Sequence, residues 1–160
     1  MTGMTFLPWR TVTLGLHKTP EAYLASIEGR GRKINRWARD IAAETTCSQV
    51  VVDLPLVDVS GADLGFTEVY TYREFLERAA TFGLYPCPAE AGLALADQYD
   101  DQPSINSRRI AMEAIADPDG LLGLLIVTND EFGLSLGACD GRSSSGWYPV
   151  SRCLLATRKP

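Results

Sequence analysis

Cys87, in the run Cys87-Pro88-Ala89-Glu90, stands where the pattern predicts a helix to begin, with Cys87 at the cap, Pro88 at the first position and Glu90 at the third. A thiol in that position faces unpaired backbone N–H groups and the positive end of the helix dipole, both of which favour thiolate. His17 is the only histidine, so it is the only imidazole that could serve as base to a Cys87 nucleophile, with Glu90 as a neighbouring carboxylate. The plainer reading makes Cys87 a turn-filling residue and leaves His17 exposed near a strand end. Nothing in the spacing joins the two.

Two other groups could carry binding. Arg30, Arg32, Lys33, Arg36 and Arg39 fall within ten residues. Helical spacing would set Arg32, Arg36 and Arg39 on one face, able to grip phosphates or an acidic protein surface. Paired locally with Glu28, Asp40 and Glu44, the same face is simply solvated. The second group is the glycine- and serine-rich segment Gly141 to Gly146, followed by Trp147 and Tyr148, a flexible backbone beside two aromatic anchors. Core packing is the competing fate of Trp147. Asp97, Asp100, Asp101, Asp117 and Asp119 invite a metal, but turn and loop chemistry explains them, and no metal or other cofactor is expected.

The elements that must position these residues follow from periodicity. Phe6 to Leu16 alternates as a strand, and Thr19-Pro20-Glu21 opens a helix that ends at Gly29 to Gly31. Ile34, Trp37, Ala38 and Ile41 make one apolar stripe on a helix over Lys33 to Glu44. Gln49 to Val59 reads as a strand in which Pro55 suggests an edge or a bulge. Thr71-x-x-Glu74 is a capping box for a helix that turns Phe75, Leu76, Ala79 and Phe82 inward and stops at Gly83. A helix from Cys87 to about Tyr99 leads to a polar loop, Asp100 to Asn106, containing Pro103.

Four strands are expected after it: Arg109 to Ala116, Leu121 to Thr128, Gly133 to Ala138 and Val150 to Thr157. Asp117-Pro118-Asp119-Gly120 is a hairpin turn, and Asn129 to Gly133 a looser one. The expected fold is α+β in a single domain, 1–160, with an N-terminal strand and helices followed by a C-terminal antiparallel β-meander.

Bulk properties narrow the class. A chain of 160 residues with 46% hydrophobic content can bury a core without disulfides or a structural metal. The longest apolar run, Leu121 to Val127, is strand-length, far short of the ~20 residues of a membrane span. The N-terminal segment lacks the basic and apolar regions of a signal peptide, so a cytoplasmic protein is expected. Cys47, Cys87, Cys139 and Cys153 show no CxxC or zinc spacing and are expected to be reduced. The net charge of −5 is uneven. Residues 1–44 hold seven Lys/Arg against four Asp/Glu, and the remainder eight against sixteen. No P-loop, GxGxxG after a strand, GxSxG, HExxH or kinase signature is present.

Three stretches, Gly83 to Gly92, Gln98 to Pro103 (with Asp101-Gln102-Pro103) and Ile110 to Asp117, resemble a family of small uncharacterised bacterial proteins. Trp9 to Gly15 and Trp37 to Ile41 resemble it too, so the likeness spans most of the chain. It implies a bacterial, stand-alone, soluble domain and carries no catalytic assignment. Leu93 to Asp97 departs from the family, where a more basic stretch is expected.

The reading these residues favour is a small binding module acting through contacts with another protein, as an inhibitor, immunity or adaptor protein. Acidic residues such as Asp100, Asp101, Asp117 and Asp119 would suit masking a basic partner. The alternatives are a cysteine-nucleophile enzyme using Cys87, and nucleic-acid binding through Arg32, Arg36 and Arg39. No membrane partner is expected.

Overall fold

The first strand, β1 (Arg10–Leu14), is only an inner five-residue part of the alternating segment Phe6 to Leu16 that predicts it. The computed structural model describes residues 6–100 and 106–159. Asp101, Gln102 and Pro103 of the polar loop therefore lie outside the described residues. Helix α1 (Pro20–Gly29) starts as its sequence dictates, the Thr19 hydroxyl accepting from the Ala22 N–H and Pro20 in the first turn. A two-residue strand, β2 (Lys33–Ile34), then takes the place of the first turn expected of the second helix. Helix α2 (Arg36–Ala43) begins after Asn35, whose side-chain oxygen caps the Ala38 N–H at 2.7 Å.

After β3 (Val52–Ser60) comes a 3-10 turn, Ala62–Leu64, and a short strand, β4 (Tyr70–Thr71). Helix α3 (Tyr72–Thr81) carries the full Thr71/Glu74 capping box and buries Tyr72, Phe75 and Ala79. Helix α4 (Glu90–Gln98) follows. The remaining strands are β5 (Asn106–Ile110), β6 (Ile115–Ala116), β7 (Leu122–Asp130), β8 (Gly133–Asp140), β9 (Gly146–Trp147) and β10 (Arg152–Ala156).

The architecture is mixed α/β, and the expected C-terminal meander is replaced by a mixed sheet. Its order is β1-β3-β10-β5-β7-β8-β2, with β6 paired to β7 and a separate β4–β9 ribbon. Only β6, β7 and β8 follow one another as antiparallel neighbours. The chain then leaves the sheet through β9 and returns to insert β10 between β3 and β5, antiparallel to the first and parallel to the second. A parallel neighbour cannot be reached by a tight turn, which is why the hairpin arithmetic of the sequence misses this step.

Pro55 is not on an edge strand, since β3 lies between β1 and β10. It faces Thr11, one residue past the end of the β10 ladder at Leu56↔Ala156, so on that side its missing N–H breaks no ladder.

Helix α4 fills the hollow of the curled sheet. It packs on α1, on β1 at one end of the strand order, and on β7 and β8 towards the other. Every residue from Glu90 to Asp97 is buried. The small residues of Glu-Ala-Gly-Leu-Ala-Leu-Ala-Asp make this possible. A Cβ on Gly92 would lie 3.0 Å from Leu125 and 3.1 Å from Ile110, so only glycine lets the helix approach the sheet so closely. Such an all-round buried helix has no polar stripe.

Candidate functional site

Two carboxylates enter the core on α4, seven residues apart and therefore on one face of the helix. Glu90 is 1% exposed. Its Oε2 accepts from the Gly15 N–H at 2.7 Å and from the Tyr23 hydroxyl at 2.5 Å, and its Oε1 from the Ser48 N–H at 2.7 Å. Gly15 can point its N–H there because it adopts a left-handed conformation, φ 81°. Burial, reinforced by Glu90, raises the Tyr23 phenol above its ordinary pKa, so the phenol remains a donor.

Asp97, 2% exposed, closes the other end of the helix. It accepts from Ser26 Oγ at 2.6 Å and Arg30 Nε at 3.2 Å, and His17 Nε2 lies 3.2 Å from its Oδ2. Arg32 donates to the carbonyls of Ala96 at 2.6 Å and Asp97 at 3.0 Å and pairs with Asp100. It thus satisfies carbonyls that the helix C-terminus leaves without internal partners.

His17 and Cys87 stand apart, at opposite ends of α4. His17 attends Asp97 at the C-terminal end of α4, and Cys87 precedes its N-terminal end. Seven residues of helix alone separate the ends by about 10 Å. Cys87 is not the cap either: Ala89 is, without a side-chain bond. The Cys87 N–H donates to the Ala111 carbonyl at 2.6 Å. The thiol, 4% exposed, points at the Leu154 carbonyl, 3.6 Å away. Burial pushes its pKa up to about 12, the opposite of an activated thiolate. Of the three residues, Glu90 is tied into the fold by three donors and Cys87 is sealed.

The basic face is also broken up. Arg32 lies outside α2 and its side chain is 9% exposed. Arg39 pairs with Glu28 at 2.6 Å. Arg36 lines a hollow with Asp40, Asp117 and Asp119. Arg32 and Arg39 thus meet helix carbonyls or a carboxylate, and Arg36 is left as an exposed side chain. Trp147 takes the core option, 3% exposed and stacked on Tyr72 at 4.8 Å, with Arg109 4.8 Å from its ring centre. Tyr148, beside it, is exposed.

What the sequence does not single out is a cleft beside the N-terminal end of α4. Its larger hollow, about 780 Å³, lies between the end of α2, α3 and the segments 86–89 and 112–115. Leu76, Pro86, Pro88 and Ile115 form its apolar surface, and the exposed carboxylates of Glu44 and Glu113 stand at its rim. A further hollow continues from it past Glu113 to Glu77 and Arg73. A smaller one, about 470 Å³, adjoins it across Thr46 and Pro88. Glu44 and Glu113 lie sixty-nine positions apart in sequence, so no local motif announces them.

The cleft offers shape and charge. The thiols that line it, Cys87 and Cys47, stay protonated at neutral pH, Cys47 because burial and then Glu90 push it up to about 11. Among the described residues no group of three or more His, Cys, Asp or Glu is arranged to hold a metal ion, and no helix is long and apolar enough to cross a membrane. Set against models of protein families, against curated proteins and against solved structures, the chain finds no match in any of the three comparisons.

Proposed function

We propose that this chain is a protein-binding module whose working surface is the larger hollow, and that it acts in the cytoplasm as an inhibitor, immunity or adaptor protein. The observation that supports this most is an apolar surface bounded by carboxylates. Leu76, Pro86 and Ile115 offer contact area, while Glu44 and Glu113 set the sign of the potential at the rim. A segment with apolar anchors and Lys or Arg beside them is complementary in both respects. The raised thiol pKa values weigh against the Cys87 enzyme, and the internal partners of Arg32 and Arg39 weigh against nucleic acid.

The test uses a fluorescent amphipathic peptide of Leu and Lys, titrated with the full chain. Saturable binding that weakens with added salt is expected. It should fall at least tenfold in Glu44→Lys/Glu113→Lys and be retained in Asp117→Lys/Asp119→Lys. Equal losses in the two double variants would reduce the effect to net charge and reject the groove.

A further inference from the structure

The smaller hollow differs in character from its neighbour. Leu14, Val52, Leu54, Cys47 and Pro88 line it, and Arg158 and Lys159 are the cations at its lip. Arg158 donates to the Asp53 main-chain carbonyl, which holds the guanidinium beside β3. Leu16, Val50 and Val51, within two positions of the lining residues Leu14 and Val52, are each more than half exposed. Lys18, bonded to the carbonyls of Gly15 and Gln49, adds a third cation there. Exposed apolar residues in a group, rimmed by one sign of charge, mark a binding surface more often than isolated ones do.

We propose that this hollow binds one single-chain anionic amphiphile, an alkyl carboxylate of medium length. The tail lies against Leu14, Val52, Leu54 and Pro88, and the carboxylate meets Arg158 and Lys159. The volume of about 470 Å³ falls in the range of small-molecule sites, roughly 300–1,000 Å³. Among the described residues no aromatic ring lines the hollow, so a planar base or cofactor ring has nothing there to stack on. Glu90 also borders it, but its two oxygens already take three protein donors and do not call for a cation. Opposite-charge recognition is therefore left to the lip, where a carboxylate can bond the guanidinium side on.

Decanoate titrated calorimetrically into the full chain, below its micelle concentration, tests this. Saturable one-to-one binding is expected, at least tenfold tighter than for decanol and tighter still than for decylammonium. Arg158→Glu/Lys159→Glu, at two exposed positions that do not threaten folding, should erase the preference of carboxylate over alcohol. Val52→Trp should fill the hollow and abolish binding of both. Absence of saturable decanoate binding, or equal affinity for all three heads, overturns the proposal. A sedimentation arm with phosphatidylglycerol vesicles separates a free amphiphile from a bilayer. The protein should stay in the supernatant, and co-sedimentation that survives Val52→Trp would assign the exposed valines to a membrane surface and overturn the pocket.

Discussion

The Tyr72 hydroxyl is shared between both main-chain groups of Met112, donating to its carbonyl at 2.6 Å and accepting from its N–H at 2.9 Å. Between β5 and β6 the chain has left the ladder, and a side chain from α3 supplies the bonds that a neighbouring strand ordinarily would. The Met112 sulfur accepts in turn from the Leu125 N–H at 3.4 Å. One phenol thus joins a helix to the gap in the sheet. Burial raises its pKa well above the ordinary phenol range, and it remains a donor at all ordinary pH.

Tyr72→Phe removes that hydroxyl and leaves two buried main-chain groups without it. A loss of about 1–3 kcal/mol is expected, read as a lower urea midpoint at unchanged slope. A change in slope instead would point to an altered denatured state.

Gln98 guards the edge of the sheet. Its side-chain amide exchanges two bonds with Thr13, 2.9 Å from the N–H and 2.7 Å to the carbonyl, and the Tyr99 hydroxyl takes the Thr11 carbonyl at 2.5 Å. These bonds occupy the free side of β1, which otherwise offers a template to another strand. Gln98→Ala should shift the protein towards dimers or larger species in light scattering at high concentration, with a stability loss of about 1–2 kcal/mol.

The basic residues near α2 divide by role. Arg32→Ala unties the carbonyls at the end of α4 and is expected to cost about 1–3 kcal/mol. Arg36→Ala, at an exposed side chain, should stay within about 0.5 kcal/mol. Thermal unfolding of the two variants side by side checks the contrast.

The buried thiols predict a pH dependence. Burial holds the Cys47 and Cys87 pKa values up at about 11 and about 12, against about 8.5 for a thiol in the unfolded chain. The folded state therefore binds protons more tightly. Its thiol contribution is fully present below about pH 8.5 and is lost as pH climbs towards 11 and 12. Urea midpoints should fall above about pH 9, and Cys87→Ala should flatten the fall. Native alkylation at pH 8 should be slow at both sites and fast in urea.

Glu90→Gln puts an amide where three donors converge, so its NH₂ must face at least one of them. A loss of about 2–3 kcal/mol is expected, more than for Tyr23→Phe, which leaves the carboxylate its two N–H partners. Equal losses would mean that the phenol carries most of the tie.

Local chemistry was legible in the residues and long-range placement was not. Thr19-Pro20, Thr71-x-x-Glu74 and Asp117-Pro118-Asp119-Gly120 act within four positions, and each does what its side chains dictate. Lys33 and Ile34 fitted the stripe of α2, yet they pair with Ser135 and Leu136, a partner chosen a hundred residues away. The meander failed for the same reason, because nothing in Arg152 to Ala156 says that it will lie between β3 and β5. In the sequence Glu90 is a carboxylate neighbouring Cys87 and Asp97 one of five acidic residues weighed for a metal. Only the enclosure of α4 makes them internal, and their donors come from Gly15, Tyr23, Ser26, Arg30 and Ser48, scattered over the first third of the chain.

The insertion of β10 has a consequence for biosynthesis. A ribosome delivers this strand after every strand it must join. Until Ala156 has emerged, β1–β3 and β5–β7–β8–β2 are two separate sheets with open inner edges, and the hollow around α4 has no continuous wall. The nascent chain thus carries two adhesive edges from the emergence of β5 until β10 joins them. Closing them rests on β10 alone, and a stop codon before Arg152 would release a product whose halves are left to pair with strangers.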